Sequence, residues 1–293
     1  MRRKTNRLSV LIINAVLILL AALFLFPVFI MVSNSFMSGY EIVNRYTPYV
    51  TPENVWDAVN HFHFVNISLI PDFVTLKQYL SLLLTQPLYL GLFWNSVRIA
   101  LPIVVGQALI SAPAAYAFEM SQLKCKEAVY FIYIAVMLMP LQVALVPNYI
   151  VADFLGLAGS HWAIILPGMV NPFGVFLIRQ YLKGLRHEYI EAAQMDGAGH
   201  LTIIFRIVMP LFKSAVAALA ILTFIENWNL VEQPLIFLRE SHQEPLSVYL
   251  SKMAEEHLDM IFAASCFYML PAVLIFLYGQ EHMVEGIQLS GIK

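Results

Sequence analysis

Metal hydrolysis, phosphate binding and nucleophilic catalysis each need particular residue types at particular spacings, and this sequence approaches two of those patterns without completing either. His187-Glu188-Tyr189-Ile190-Glu191 begins like H-E-x-x-H, where two histidines four apart share a helix face and hold zinc, but Glu191 stands where the second ligand is needed. Gly197-Ala198-Gly199 begins like a dinucleotide loop, whose glycines let the backbone approach a pyrophosphate, but position 202 is Thr instead of the third glycine. No G-x-x-x-x-G-K-[ST] string occurs, so ATP and NAD both lack a loop to cradle them. His61 and His63 are the only closely spaced histidines, and no Ser or His stands with a partner as a catalytic pair, so no catalytic residue and no metal ligand is assigned. Cys125 and Cys266 are too few and too far apart for a disulfide framework.

The elements that carry these residues are built for lipid. Of 293 residues, 60% are hydrophobic and 12% charged, with mean hydropathy +0.72, too few polar groups to cover a water-facing exterior. Net charge is −2, which leaves no basic footprint for nucleic acid. Crossing ~30 Å of hydrocarbon takes about 20 apolar residues per helix. Six stretches qualify, at 8–32, 93–118, 128–146, 162–181, 211–236 and 260–279, the third interrupted by Pro140. The first is too long for a cleaved signal and lacks an A-x-A site, so it is expected to remain as a span. Basic residues then orient the chain: Arg2, Arg3, Lys4, Arg7, Lys124, Lys126, Arg179, Lys183, Arg186, Arg206, Lys213 and Lys293 share one side, against Arg45, Lys77, Arg239 and Lys252 on the other. Cytoplasmic loops are enriched in Lys and Arg, so both termini are expected in the cytoplasm. The expectation is an all-α integral membrane protein divided into a first span with its tail (1–32), an outer segment (33–92), a core of five spans (93–279) and a cytoplasmic tail (280–293).

The outer segment holds Thr47-Pro48, Thr51-Pro52 and Ile70-Pro71 turns and a run at 76–82 suited to a surface helix. The outer loop 237–259 carries Glu240, Glu244, Glu255, Glu256 and Asp259, a cluster that serves either solvation or docking of an external partner. Polar residues at bilayer depth are costly and therefore informative. Asn95 and Arg98 lie in the second span, and Glu226, Asn227, Trp228 and Asn229 lie late in the fifth with Glu232 beyond them. Such a set suits a sugar, whose C–H face stacks on an aromatic ring while amides and carboxylates take its hydroxyls. The alternatives are structural: Trp228 as an interfacial anchor, Asn229 bonded between helices, Arg98 snorkelling outward.

The connection between the fourth and fifth spans, 183–210, is the most informative stretch. It reads as two short helices hinged at Asp196-Gly197, the first offering Glu191 beside the small Ala192 and Ala193 for close approach to a partner groove. Its pattern, Glu191-Ala192-Ala193, then Gly197, Ile207 and Pro210, resembles the E-A-A…G…I-x-L-P loop of the permease subunits of binding-protein-dependent ABC importers, with Met209 in place of the leucine. Further strings resemble the carbohydrate-uptake branch, relatives of the maltose-system permeases: Asn95-Ser96, Ala115-Tyr116-Ala117-Phe118, Met139-Pro140, Phe173-Gly174, Arg179-Gln180, Trp228-Asn229 and Val284-Glu285-Gly286. Glu119-Met120-Ser121, Arg186 and Ser214 depart from that branch's usual residues.

The resemblance implies a type I ABC importer permease that is not itself an enzyme. It implies a second permease, expected as a heterodimer, two cytoplasmic ATPase subunits that hold ATP and magnesium, an external solute-binding protein, and a bacterial cytoplasmic membrane as the site. This chain would bind no cofactor. Its ATPase-coupling residues would be Glu188, Glu191, Ala192, Ala193, Asp196, Gly197, Ala198, Ile207 and Pro210, and its substrate pathway Asn95, Arg98, Glu226, Asn227, Trp228 and Asn229. An importer of amino acids or peptides is the alternative within the family; a secondary transporter would require ion-coupling charges deep in several spans and would leave the 183–210 loop without a task.

Overall fold

The computed structural model describes residues 7–46, 67–121, 124–184 and 188–291. Arg2, Arg3, Lys4, His61, His63, Arg186, His187, Lys293 and the Thr-Pro pairs at 47–52 lie outside the described residues. Among the described residues all regular structure is helical except an isolated antiparallel bridge between Met37 and Val74.

The helices, in order, are α1 Arg7–Asn34, α2 Gly39–Tyr46, α3 Lys77–Leu80 continuing as a π-turn over Ser81–Thr85, α4 Pro87–Met120, α5 Lys126–Met137, α6 Leu141–Phe154, α7 Trp162–Met169 and α8 Pro172–Leu182. There follow α9 Glu188–Met195, α10 His200–Ile203 continuing as a π-turn over Ile204–Val208, α11 Met209–Leu211, α12 Lys213–Trp228, α13 Glu232–Phe237, α14 Leu246–Glu256 and α15 Ile261–Gly291. Four stretches are long and apolar enough to cross a membrane: Val10–Asn34, Pro87–Met120, Trp162–Leu182 and Leu258–Glu281. Two bent pairs raise the number to six.

The third span, expected to be interrupted at Pro140, bends there, and the fifth departs from the unbroken span expected at 211–236. Helices α5 and α6 meet at 101° because Pro140, extended at ψ 140°, cannot continue the preceding turn. The segment His200–Leu211 meets α12 at 82° across Phe212, whose φ of −106° and ψ of 30° leave the helical basin. Pro210 has no N–H to donate and crowds the carbonyl one turn back, and a wider π-turn precedes it. The fifth span also ends earlier than expected, at Trp228, and Glu232–Phe237 forms a helix of its own in which Pro234 falls in the first turn. The fourth span is interrupted at Val170-Asn171, where the Asn171 side chain accepts from Phe173 N at 3.0 Å and Pro172 begins the next helix. The surface helix expected at 76–82 is helical from Lys77 to Thr85, and the tail at 280–291 continues α15 instead of leaving it.

The chain divides into two compact units, Met1–Tyr89 with Leu250–Met269, and Leu90–Tyr249 with Leu270–Lys293. In the first, α1 is apolar over most of its length and none of its most apolar 18-residue stretch is buried, the surface of a helix that faces lipid or other membrane helices. Glu41 and Arg45 fix α2 to the following segment: Arg45 pairs with Glu41 at 3.2 Å and with Asp72, whose N–H donates to Glu41 at 3.0 Å. Tyr89 OH donates to Ala264 O at 2.8 Å while its ring stands edge-on to Phe267.

The second unit has two apolar clusters. One joins Tyr116 of α4, Ile178 and Leu182 of α8, Ile190 and Ala193 of α9, Ile203 and Val208 of the following turns and Leu219 of α12. The other joins Ile99 and Ile103 of α4 with Leu145, Ile164 and Phe237. Between helices the contacts turn polar and close: Thr223 Oγ1 donates to Gln107 Oε1 at 2.5 Å, Gln107 donates to Asn171 O at 3.4 Å, and a Cβ on Gly174 would collide with Ser111 Oγ. Small and hydroxyl-bearing residues of this kind let membrane helices approach where no water drives them together.

Candidate coupling loop and transport cleft

Helix α9 is eight residues long, too short to persist alone, so its stability comes from the face it buries. Ile190 and Ala193, three apart, enter the apolar cluster, and the opposite face stays in solvent with Glu188, Tyr189, Glu191, Ala192, Gln194 and Met195. Glu188 and Glu191 occupy the first turn, where a carboxylate opposes the positive end of the helix dipole. Gly197 ends the helix. With φ at +80° it donates to Gln194 O at 3.0 Å, while Ala198 N reaches back to Ala193 O at 2.9 Å. This is a Schellman cap, and its left-handed position is the reason a glycine is required there. The expected hinge at Asp196-Gly197 is thus a capped stop, after which Gly199 leads into α10.

The expected coupling residues separate by burial. Glu188, Glu191, Ala192, Asp196 and Gly197 are exposed. Ala193 is buried and corrects the expectation that both alanines face outward: three residues past Ile190, it is turned toward the core. Ala198 and Ile207 pack partly buried against the same cluster, and Pro210 is exposed just before the bend. Tyr189 and Met195 were not singled out from the sequence, yet they flank Glu191 and Ala192 as exposed apolar groups, Met195 at 89% exposure. A mark was present, since a residue that falls off the buried face of so short a helix and is nevertheless large and apolar invites a partner.

The expected pathway residues do not form one group. Asn95 is buried, and its Nδ2 donates to His242 O at 2.7 Å and to Glu244 O at 3.2 Å; beside it Ser96 Oγ accepts from Leu246 N at 2.8 Å. These contacts fasten the 242–246 loop to α4 and use the amide donors in doing so. Arg98 is exposed. Trp228 is 1% exposed, stacked on Phe224 at 5.2 Å and edge-on to Phe93 at 5.6 Å, a core residue instead of an interfacial anchor. Asn227 Nδ2 donates to Thr223 O and Asn229 Nδ2 to Ile225 O, each at 2.8 Å, so both amides return to their own helix.

Glu226 alone of the set opens onto a cleft of about 450 Å³, lined also by Met137, Asn171, Phe173, Leu222 and Ile225. At about 100° per residue, Leu222, Ile225 and Glu226 share the face that lines the cleft, and Asn227, Trp228 and Asn229 fall outside it. The cleft gathers three interrupted elements: the end of α5, the start of α8 and the last turns of α12. Asn171 was not identified from the sequence, although an Asn-Pro pair inside an apolar run is the mark of a helix restart at membrane depth.

A third group lies near the loop. Arg179, 2% exposed on the last turn of α8, donates from Nε to Glu119 Oε2 at 3.1 Å and from Nη2 to Glu127 Oε1 at 2.6 Å, with its guanidinium 3.8 Å above the Tyr130 ring.

The family described as binding-protein-dependent transport system inner membrane component matches residues 108–285, which contain the loop, the cleft and Arg179. The chain belongs to this family. The permease is 28% identical over 278 residues to the arabinooligosaccharides transport system permease protein AraQ of Bacillus subtilis (strain 168), covering 94% of this chain and 92% of that one. It is 31% identical over 204 residues to the lactose transport system permease protein LacG of Rhizobium radiobacter, covering 69% and 74%. Its fold matches that of a bacterial ABC transporter involved in the import of the acidic polysaccharide alginate, with a TM-score of 0.76 at 23% identity over 94% of this chain and 98% of the other. It is a multi-pass membrane component of a transport system, not an enzyme, and works with a binding protein.

Proposed function

We propose that this permease lines half of the pathway of an ATP-driven importer for a neutral sugar or oligosaccharide in a bacterial cytoplasmic membrane. A second, different permease completes the pathway, two cytoplasmic ATPases bind ATP and magnesium, and an external binding protein delivers the sugar. Both termini and the 183–210 loop lie on the cytoplasmic side, as the basic residues on that side indicate. The exposed face of α9, Glu188, Glu191 and Ala192 with Tyr189 and Met195, sits in a groove of an ATPase and moves with it when ATP closes the ATPase pair. A ligand or partner shifts such an equilibrium only by what it gains differently in the two states, so the face must be held differently before and after closure.

The observation that carries the sugar reading is the cleft. Glu226 and the Asn171 amide take hydroxyls, Phe173 offers a ring for a C–H face, and among the described residues no cationic side chain lines the cleft to hold an anion. The named substrates of the relatives AraQ and LacG agree with it. The test is reconstitution of the complete complex in liposomes with arabinotriose, lactose and sn-glycerol 3-phosphate as probes. Uptake of a neutral sugar that requires ATP inside and binding protein outside is the expected result. Uptake of the phosphate ester alone, or uptake by this chain without an ATPase, contradicts the reading.

A further inference from the structure

Movement of the coupling loop reaches the cleft only through parts that resist sliding. Helix α9 is attached to its unit by two buried side chains, Ile190 and Ala193, and by the chain that joins it to α8. Apolar contacts of that kind are non-directional, so they bind without fixing one helix against another. The directional contacts lie on the helix that precedes α9, at Arg179, one turn before the end of α8. Its fork grips Glu119 at the end of α4 and Glu127 at the start of α5 while the guanidinium plane rests on Tyr130, three points on two further helices. Lys126 Nζ donates to Glu119 O at 3.0 Å, tying the first residue of α5 to the end of α4.

An ion pair is a poor means of stabilisation here, because desolvation of the buried guanidinium offsets much of the attraction and the Glu127 side chain, 65% exposed, is screened by solvent. This one also leaves Arg179 Nη1 buried without a partner, a further cost. What a planar fork with a stacked face does supply is a fixed orientation. Helix α5 is about 18 Å long by its 12 residues, and its far end is Met137, which lines the cleft beside Glu226.

We propose that Arg179 is a positioning residue, the latch that makes α8, the end of α4 and α5 move as one body, so that displacement of the coupling loop is delivered through α5 to Met137 at the cleft. The proposal rests on the coupling-loop reading above. Loss of the latch leaves the ATPases bound and turning over while the cleft no longer follows them.

The test uses the full complex in lipid nanodiscs with Cys125→Ser, Cys266→Ser and Met137→Cys, and reads maleimide labelling at position 137 with and without vanadate-trapped ATP. Arg179→Met alone leaves Glu119 without its partner, so the informative variant is Arg179→Met with Glu119→Gln, and Arg179→Lys serves as a second, which keeps the charge and loses the fork. Expected is full co-purification of the ATPases with continued ATP hydrolysis, and a nucleotide-dependent change in labelling reduced by about tenfold, within the range found for residues that carry coupling. A labelling change of wild-type size in both variants overturns the latch. Glu191→Arg separates the two claims: it is expected to release the ATPases, and if they stay bound with the labelling change intact, the coupling-loop reading fails whatever Arg179 does.

Discussion

Arg179 and Glu226 are both charged, both stand on stretches suited to cross a membrane, and the chain treats them in opposite ways. Arg179 is 2% exposed and gripped by two carboxylates and a ring. Glu226 is exposed to a cleft, and among the described residues no ion pair or hydrogen bond engages it. A charged group on an apolar stretch needs a partner or solvent. The chain holds Arg179 from within and leaves Glu226 open, so on the readings proposed above the first serves mechanics and the second recognition. The same division separates Trp228, Asn95, Asn227 and Asn229, whose polar atoms or faces are spent inside the unit, from Asn171, which opens on the cleft.

If that division holds, residues spent in apolar packing, such as Trp228, govern stability, and those open to another molecule govern transport. The largest effect is expected for Trp228→Ala, which empties a fully buried site and lowers stability by about 3–5 kcal/mol. It is read as a fall in the thermal midpoint of the purified complex with the preference among sugars unchanged. A changed preference at an unchanged midpoint would move Trp228 to the open side.

Gly197→Pro comes next. It forces φ near −65° where the cap needs +80° and deletes the N–H given to Gln194, at about 3 kcal/mol. Uptake is lost while membrane insertion, followed by fractionation, is retained.

Glu226→Gln removes a charged acceptor at about 1.5–3 kcal/mol. The sugar concentration for half-maximal uptake should rise by roughly 10- to 100-fold with the thermal midpoint unmoved. An unaltered dose response would break the comparison at its centre.

The smallest effect belongs to Arg98→Ala, since the side chain is exposed and lines none of the cleft. Substrate preference should stay as it was and stability should change by no more than about 0.5 kcal/mol.

The spans and the loop were legible in the sequence because hydropathy and a fixed spacing are local signals. The E-A-A register picked out α9, and Gly197 announced a special backbone position before its φ was known. What the sequence hid was direction. Glu226, Asn227, Trp228 and Asn229 are contiguous, and only helical phase together with the packing of Phe93 and Phe224 decides that one faces the cleft and another the core. Ala192 and Ala193 were indistinguishable for the same reason. The third and fifth spans were found as apolar runs, yet their bends at Pro140 and Phe212 depend on how the broken turns pack. The triad of Arg179, Glu119 and Glu127 joins residues 52 and 60 positions apart, beyond any local pattern.

The central claim is that the outward face of α9 seats against an ATPase. Cysteine placed at 192 or at 193, in the full complex with Cys125→Ser, tests it by disulfide crosslinking to the ATPase subunit. Ala192→Cys is expected to crosslink and to respond to ATP, and Ala193→Cys, buried in its own unit, is expected not to. A complex that transports normally, with no crosslink from 192 to any of several cysteines along the ATPase groove, would contradict the account.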